Sequence, residues 1–232
     1  MAHASLIFDL NDDGCTGGCG APGTSFGTVT LTGVDADTVH VSVDLNPAGV
    51  SFFIDTGAGY ALTWNGPAGE TVTNVAPALG FDFLGYDAGG YHTGGGFGDF
   101  LYAIECNAAP KDALDPALYC ASAPGGGGGQ NSHLSFDVNL SPALALADFT
   151  ATDKGFYFTV DLIGPSGRTG VIGADTFTNQ TCTPGTTDCN PDPRCTGASC
   201  DPTVPEPGTL ALLGIGLGAA VRYRRRVAQT LA

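Results

Sequence analysis

Two groups of residues in this chain have types and spacing suited to chemistry. The first is Asp9-Leu10-Asn11-Asp12-Asp13-Gly14. Asp9, Asn11 and Asp13 set three oxygen-bearing side chains at alternate positions, and Gly14 follows for a sharp turn, which is how a calcium loop opens. The bidentate glutamate of a helix-loop-helix calcium site is missing, since Gly20 stands at the twelfth position. Two readings stay open: a calcium loop of another kind, or an Asx-type turn that leads into the next loop. The second group is the eight cysteines, which fall in close pairs: Cys15 with Cys19, Cys106 with Cys120, Cys182 with Cys189, and Cys195 with Cys200. An even number in neighbouring pairs points to disulfides and an oxidising compartment. Zinc would call for Cys-x-x-Cys spacing or a histidine beside the pairs, and neither occurs.

A third stretch, Asp55-Thr56-Gly57-Ala58 after the apolar Phe52-Phe53-Ile54, resembles the catalytic turn of aspartic proteases. That resemblance implies an Asp55 carboxylate sharing a proton with a second carboxylate. Val171-Ile172-Gly173 is similar to the strand that supports such a turn. One Asp-Thr-Gly occurs, so the enzyme would have to be a symmetric dimer. The tripeptide alone is also a common turn. His3, His40, His92 and His133 are scattered and compose no triad. The expectation is a protein without catalytic residues, and an aspartic-type peptidase acting through Asp55 is the last alternative.

The most informative stretch is C-terminal. Val204-Pro205-Glu206-Pro207 leads into Gly208 to Val221, fourteen residues without a charge, and then Arg222-Tyr223-Arg224-Arg225-Arg226. As a helix, residues 208–221 would span roughly 21 Å, short of a hydrocarbon core about 30 Å thick. Four arginines after the apolar run place the C-terminus on the cytoplasmic side. The order of these parts over Val204–Arg226 resembles the PEP-CTERM sorting signal of Gram-negative bacteria. Pro205, Glu206, Pro207, Arg222, Arg224, Arg225 and Arg226 carry the likeness. It implies recognition by the membrane protease-transpeptidase exosortase and removal of the helix. The chain would be held at the inner membrane and then released to the cell surface or beyond, in association with exopolysaccharide and biofilm.

Charge agrees with export. The net charge is −15, and 22 of the 23 acidic residues precede Pro205, against four basic ones. Such a surface repels nucleic acid and anionic lipid. At the other end, Ala2-His3-Ala4 has the small-x-small pattern of a signal-peptidase cut with no apolar run before it. We expect residues 1–4 to be the remnant of a cleavage region whose signal peptide lies upstream.

The elements between these ends alternate with period two. Ser5–Asp9, Phe26–Val34, Thr38–Leu45, Val50–Asp55, Tyr60–Trp64, Thr71–Val75, Gly98–Glu105, Leu134–Leu140, Phe156–Ile163 and Thr169–Ile172 are expected strands. In the third, Val39, Val41, Val43 and Leu45 share the core face, and His40 lies on the solvent face. In the ninth, Phe156, Phe158, Val160 and Leu162 share one face. Phe81–Phe100 is rich in glycine and aromatics. Its rings would either cover a core edge or, on an exposed loop, stack on sugars. Lys111–Tyr119 is expected to make a helical turn inside the Cys106–Cys120 loop.

Many short strands between Gly, Pro, Asn and Asp turns predict an all-β fold, an antiparallel sandwich or jelly roll over residues 5–178. A Cys/Thr/Pro-rich stalk follows over 179–204, the sorting signal over 205–226 with its single hydrophobic helix at 208–221, and a cytoplasmic tail over 227–232. The function expected is that of an exported structural or adhesive surface component. The main alternative is a carbohydrate-binding module assisted by calcium, using Asp9, Asn11, Asp13 and the Tyr86–His92 loop. No cofactor other than calcium is expected.

Overall fold

A computed structural model describes residues 5–21, 23–45, 52–54, 60–107, 120, 131–165 and 167–181. All of them belong to the first of two units, Met1–Cys195; the second is Thr196–Ala232. The expected helical turn at 111–119, the Asp55 turn, most of the stalk, and the helix at 208–221 lie outside the described residues.

The described residues form thirteen strands: β1 (Ser5–Leu10), β2 (Asp12–Asp13), β3 (Gly27–Gly33), β4 (Thr38–Leu45), β5 (Phe53–Ile54), β6 (Leu62–Trp64), β7 (Thr71–Ala76), β8 (Phe81–His92), β9 (Asp99–Cys106), β10 (His133–Asn139), β11 (Phe158–Ile163), β12 (Thr169–Ala174) and β13 (Phe177–Thr181). One sheet runs β13-β1-β3-β4-β10-β7, and the other runs β2-β12-β11-β6-β9-β8, with β5 also pairing β11. Every pairing is antiparallel. The all-β expectation holds.

Alternation places the core. On β4, Val39, Val41, Val43 and Leu45 are buried, while His40 and Ser42 are half-buried and Asp44 is exposed. β3 repeats the pattern, with Val29 and Leu31 buried between half-buried Thr28, Thr30 and Thr32. The apolar faces of the two sheets meet: Trp64 of β6 lies 5.4 Å from Phe136 of β10, and Phe8 of β1 lies 5.0 Å from Phe158 of β11, between ring centroids. This is the sandwich-like arrangement that two half-buried antiparallel sheets adopt.

Two departures from the sequence expectation have clear causes. The first half of the glycine-rich stretch is not a loop but β8, the edge strand of its sheet. Its register against β9 shifts between Phe83 and Gly85 and again between Tyr86 and Tyr91. Gly85 and Gly90 have φ of 88° and 82°, the left-handed values that glycine supplies for bulges, and these bulges break the two-residue period. The second departure is β11, which is buried on both faces: Thr159 and Asp161 are as enclosed as Phe158 and Val160. It lies inside its sheet, between β12 and the β5 and β6 strands.

Candidate functional site

The Asp9–Gly14 motif sits where the chain passes from one sheet to the other. Asp9 remains on β1, half-buried and opposite Thr28. Asn11 is exposed and donates its backbone N–H to the Gly173 carbonyl at 3.3 Å. Asp12 and Asp13 form β2 against Gly173 and Ile172. Burial, and then the charge of Asp175, raise the Asp12 carboxyl above its ordinary range.

Asp13 is the organising residue. One carboxylate oxygen accepts the N–H of Cys15 at 2.9 Å. The other accepts those of Cys19 at 2.8 Å and Gly20 at 3.3 Å. Cys15 and Cys19 are joined as a disulfide. The Arg168 guanidinium donates to the carbonyls of Gly17 and Gly18 from the turn before β12. Asp13, Cys15 and Cys19 bring one ligand atom each within 4.8 Å of one another. Their two sulfurs are bonded to each other and therefore offer no thiolate to a metal.

Cys106 and Cys120 form a second disulfide. Two of the four expected disulfide pairs are thus present among the described residues. The other two expected pairs fall in the stalk: Cys182 with Cys189, and Cys195 with Cys200. Cys182, Cys189, Cys195 and Cys200 all lie outside the described residues.

The aromatic stretch separates into two groups. Phe81, Phe97 and Phe100 are buried. Phe97, Phe100 and Val171 make a small apolar cluster with Phe156 beside the 3-10 turn at Gly94–Gly96. Tyr86 is 46% exposed and meets Tyr102 edge-on at 5.5 Å. Tyr91 packs edge-on against Tyr60 at 4.9 Å and donates its hydroxyl to the Gly85 carbonyl. Between these tyrosines the Asp87–Gly90 segment bulges outward, closed by the Gly89 N–H on Asp87 at 2.8 Å. Burial first, then Asp87 and Tyr60, raise the Tyr91 phenol above its usual range.

Three histidines are placed by strand register. His40 and His133 face Asp137 and Asp44 across the β4–β10 ladder, with Nδ1 to carboxylate distances of 2.6 and 2.7 Å. His92 faces Asp99 across β8–β9 at 2.5 Å. Asn74 also donates to Asp137, at 2.7 Å. Each histidine is thus engaged by one carboxylate on a partly open sheet surface.

Two features escaped sequence reading. One is Gly23-Thr24-Ser25-Phe26-Gly27, a Gly-x-Ser-x-Gly pattern. A nucleophile elbow needs a strand, a tight turn and a helix. Here Ser25 is exposed and the segment runs into β3, so that context is lacking. The other is Glu70, a buried acid beside Trp64, which no local pattern marks.

Together the two facing antiparallel sheets and the two disulfides define a disulfide-bonded, sandwich-like β protein. Within the chain, residues 203–226 match the family model of the PEP-CTERM protein-sorting motif. That motif marks a protein exported to the cell envelope or surface and processed by exosortase. It contains Pro205, Glu206, Pro207, Arg222, Arg224, Arg225 and Arg226, all outside the described residues. No curated protein and no solved structure matches the chain.

Proposed function

We propose that the β domain is a non-catalytic structural or adhesive component of a Gram-negative cell surface, working among exopolysaccharide in a biofilm matrix. In this reading the working domain runs from residue 5 to the end of β13 at Thr181, three residues beyond the expected boundary at 178, and the remainder to 204 is a stalk that holds it away from the sorting signal. Disulfides between Cys182 and Cys189 and between Cys195 and Cys200 would staple that stalk. The helix at 208–221 is a temporary hold in the inner membrane. The single observation that carries the proposal is the sorting motif at residues 203–226. The disulfides suit the same destination, as does an acidic, cation-poor domain. Intact mass and fractionation of the native protein test it. Loss of the chain beyond the Pro205 region in an exosortase-dependent way supports the reading. A full-length C-terminus retained in the inner membrane overturns it.

A second reading is a carbohydrate-binding module. It rests on Tyr86, an exposed ring on an edge strand next to the Asp87–Gly90 bulge. Exposed aromatic faces stack on apolar faces of sugar rings. Calcium would assist through Asp9, Asn11 and Asp13 along the passage from β1 to β2, where it would have to share the Asp13 oxygens with the backbone amides of Cys15, Cys19 and Gly20. A glycan array with and without calcium separates the readings, because a structural component binds in neither condition. Peptidase action through Asp55 stands third, and unchanged behaviour of an Asp55→Asn variant removes it.

A further inference from the structure

Glu70 ends the segment that carries the chain from β6 in one sheet to β7 in the other. It is 5% exposed. Its Oε2 accepts the indole N–H of Trp64 at 2.9 Å, and its Oε1 is buried without a hydrogen-bond partner. The carboxyl lies against the backbone of Gly66, where a Cβ would come within 2.0 Å of Oε1. Asn65 anchors the start of the segment by accepting the Leu101 N–H at 2.8 Å.

Among the described residues, none supplies a counter-charge to Glu70. From β9, the Tyr102 hydroxyl accepts the Glu70 N–H at 3.1 Å and donates to the Pro67 carbonyl at 2.5 Å. Burial raises the Tyr102 phenol, which stays protonated. Behind it, from β8, comes Tyr86. The 3-10 turn at Leu146–Asp148 brings Asp148, a like charge whose carboxylate accepts the Ala145 N–H. Among the described residues no Lys, Arg or His pairs with Glu70. A buried carboxylate without a cation is costly, whereas the neutral acid is tolerated.

We propose that Glu70 is a proton-operated latch: as the neutral acid it closes the 65–70 crossover onto Trp64, and as the carboxylate it releases that crossover to water. Its position supports the direction of the switch. Burial pushes the carboxyl up to about 7, the indole hydrogen bond opposes this, and Asp148 adds to the rise. Release would uncover the Trp64–Tyr102 stack, whose rings lie 5.4 Å apart. The inference does not depend on the adhesive reading. It gives the domain a local response to neutral and alkaline conditions.

The chain has one tryptophan, so fluorescence of the full-length protein reports on the latch directly. The emission maximum is expected to move to longer wavelength in a single transition as pH rises from 5 to 9, and Glu70→Gln is expected to abolish that transition. An emission maximum unchanged between pH 5 and pH 9, or the same transition in a folded Glu70→Gln protein, overturns the proposal. Hydrogen exchange on the unsubstituted protein keeps the test independent of the variant. After correction for intrinsic rates, protection in 65–70 is expected to fall on the order of a hundredfold between pH 5 and pH 8, with the β4–β10 ladder unchanged. Equal loss of protection across both segments would mean general destabilisation and would overturn the latch.

Discussion

The Asp13 carboxylate accepts the amide proton of Cys19 at 2.8 Å, six residues further along the chain. The same side chain holds Cys15 and Gly20, so one acid fixes the whole Cys15–Cys19 loop. Asp13→Ala removes three charge-assisted acceptor contacts and should cost about 1–3 kcal/mol, read as a lower midpoint in chemical denaturation. Calcium added to the unsubstituted protein gives a second reading of the site. A rise in thermal midpoint that Asp13→Ala abolishes is the outcome a bound ion requires.

The two disulfides of the β domain should differ in weight. Cys106 and Cys120 are 14 residues apart and Cys15 and Cys19 are four apart. In the chain-entropy account the longer loop contributes about 3 kcal/mol and the shorter about 2 kcal/mol. Thermal denaturation of two double variants checks the order, one with Cys106→Ala and Cys120→Ala, the other with Cys15→Ala and Cys19→Ala.

Phe136 is fully enclosed and packs against Trp64 from the opposite sheet. Phe136→Ala removes the ring that joins the two sheets there and is expected to cost about 3–5 kcal/mol. Denaturant titration followed by Trp64 fluorescence measures both the lost stability and the changed indole environment.

Glu70 makes stability depend on pH with a definite sign. Its folded value of about 7 lies above its ordinary 4.5. The stability it allows is therefore complete below about pH 4.5 and is lost as pH rises through 7. Over that window the change is roughly 3 kcal/mol. Asp12, raised by burial and by Asp175, tilts the curve in the same direction. Glu70→Gln should flatten the dependence and leave the variant more stable than the parent at pH 8. Urea midpoints at pH 5 and pH 8 decide it.

Gly66 should not accept a larger residue. The methyl of Gly66→Ala would lie 2.0 Å from Glu70 Oε1, so the carboxyl must leave Trp64 or the segment must shift. A loss of about 1–3 kcal/mol is expected, with a red-shifted Trp64 emission already at pH 5.

The sequence by itself determined the destination and most of the strands. The sorting motif is a local pattern of composition and order, and it matches over residues 203–226. β4 and β10 were legible because one face of each meets the core and the other meets water, which writes a period of two into the chain. The neighbouring cysteines of the β domain paired as their spacing suggested. Tertiary structure alone decided the rest. β8 had no readable period because its bulges rest on glycine, and β13 became a strand by pairing with β1, at the far end of the domain sequence. Asp13 reads in sequence as a metal ligand, and only the fold showed both its oxygens turned to backbone amides. No local pattern marks Glu70 in the sequence. Its chemistry comes from Trp64, Tyr102 and Asp148, brought around it by pairings between distant segments, and burial among such neighbours is a property that no local stretch of sequence contains.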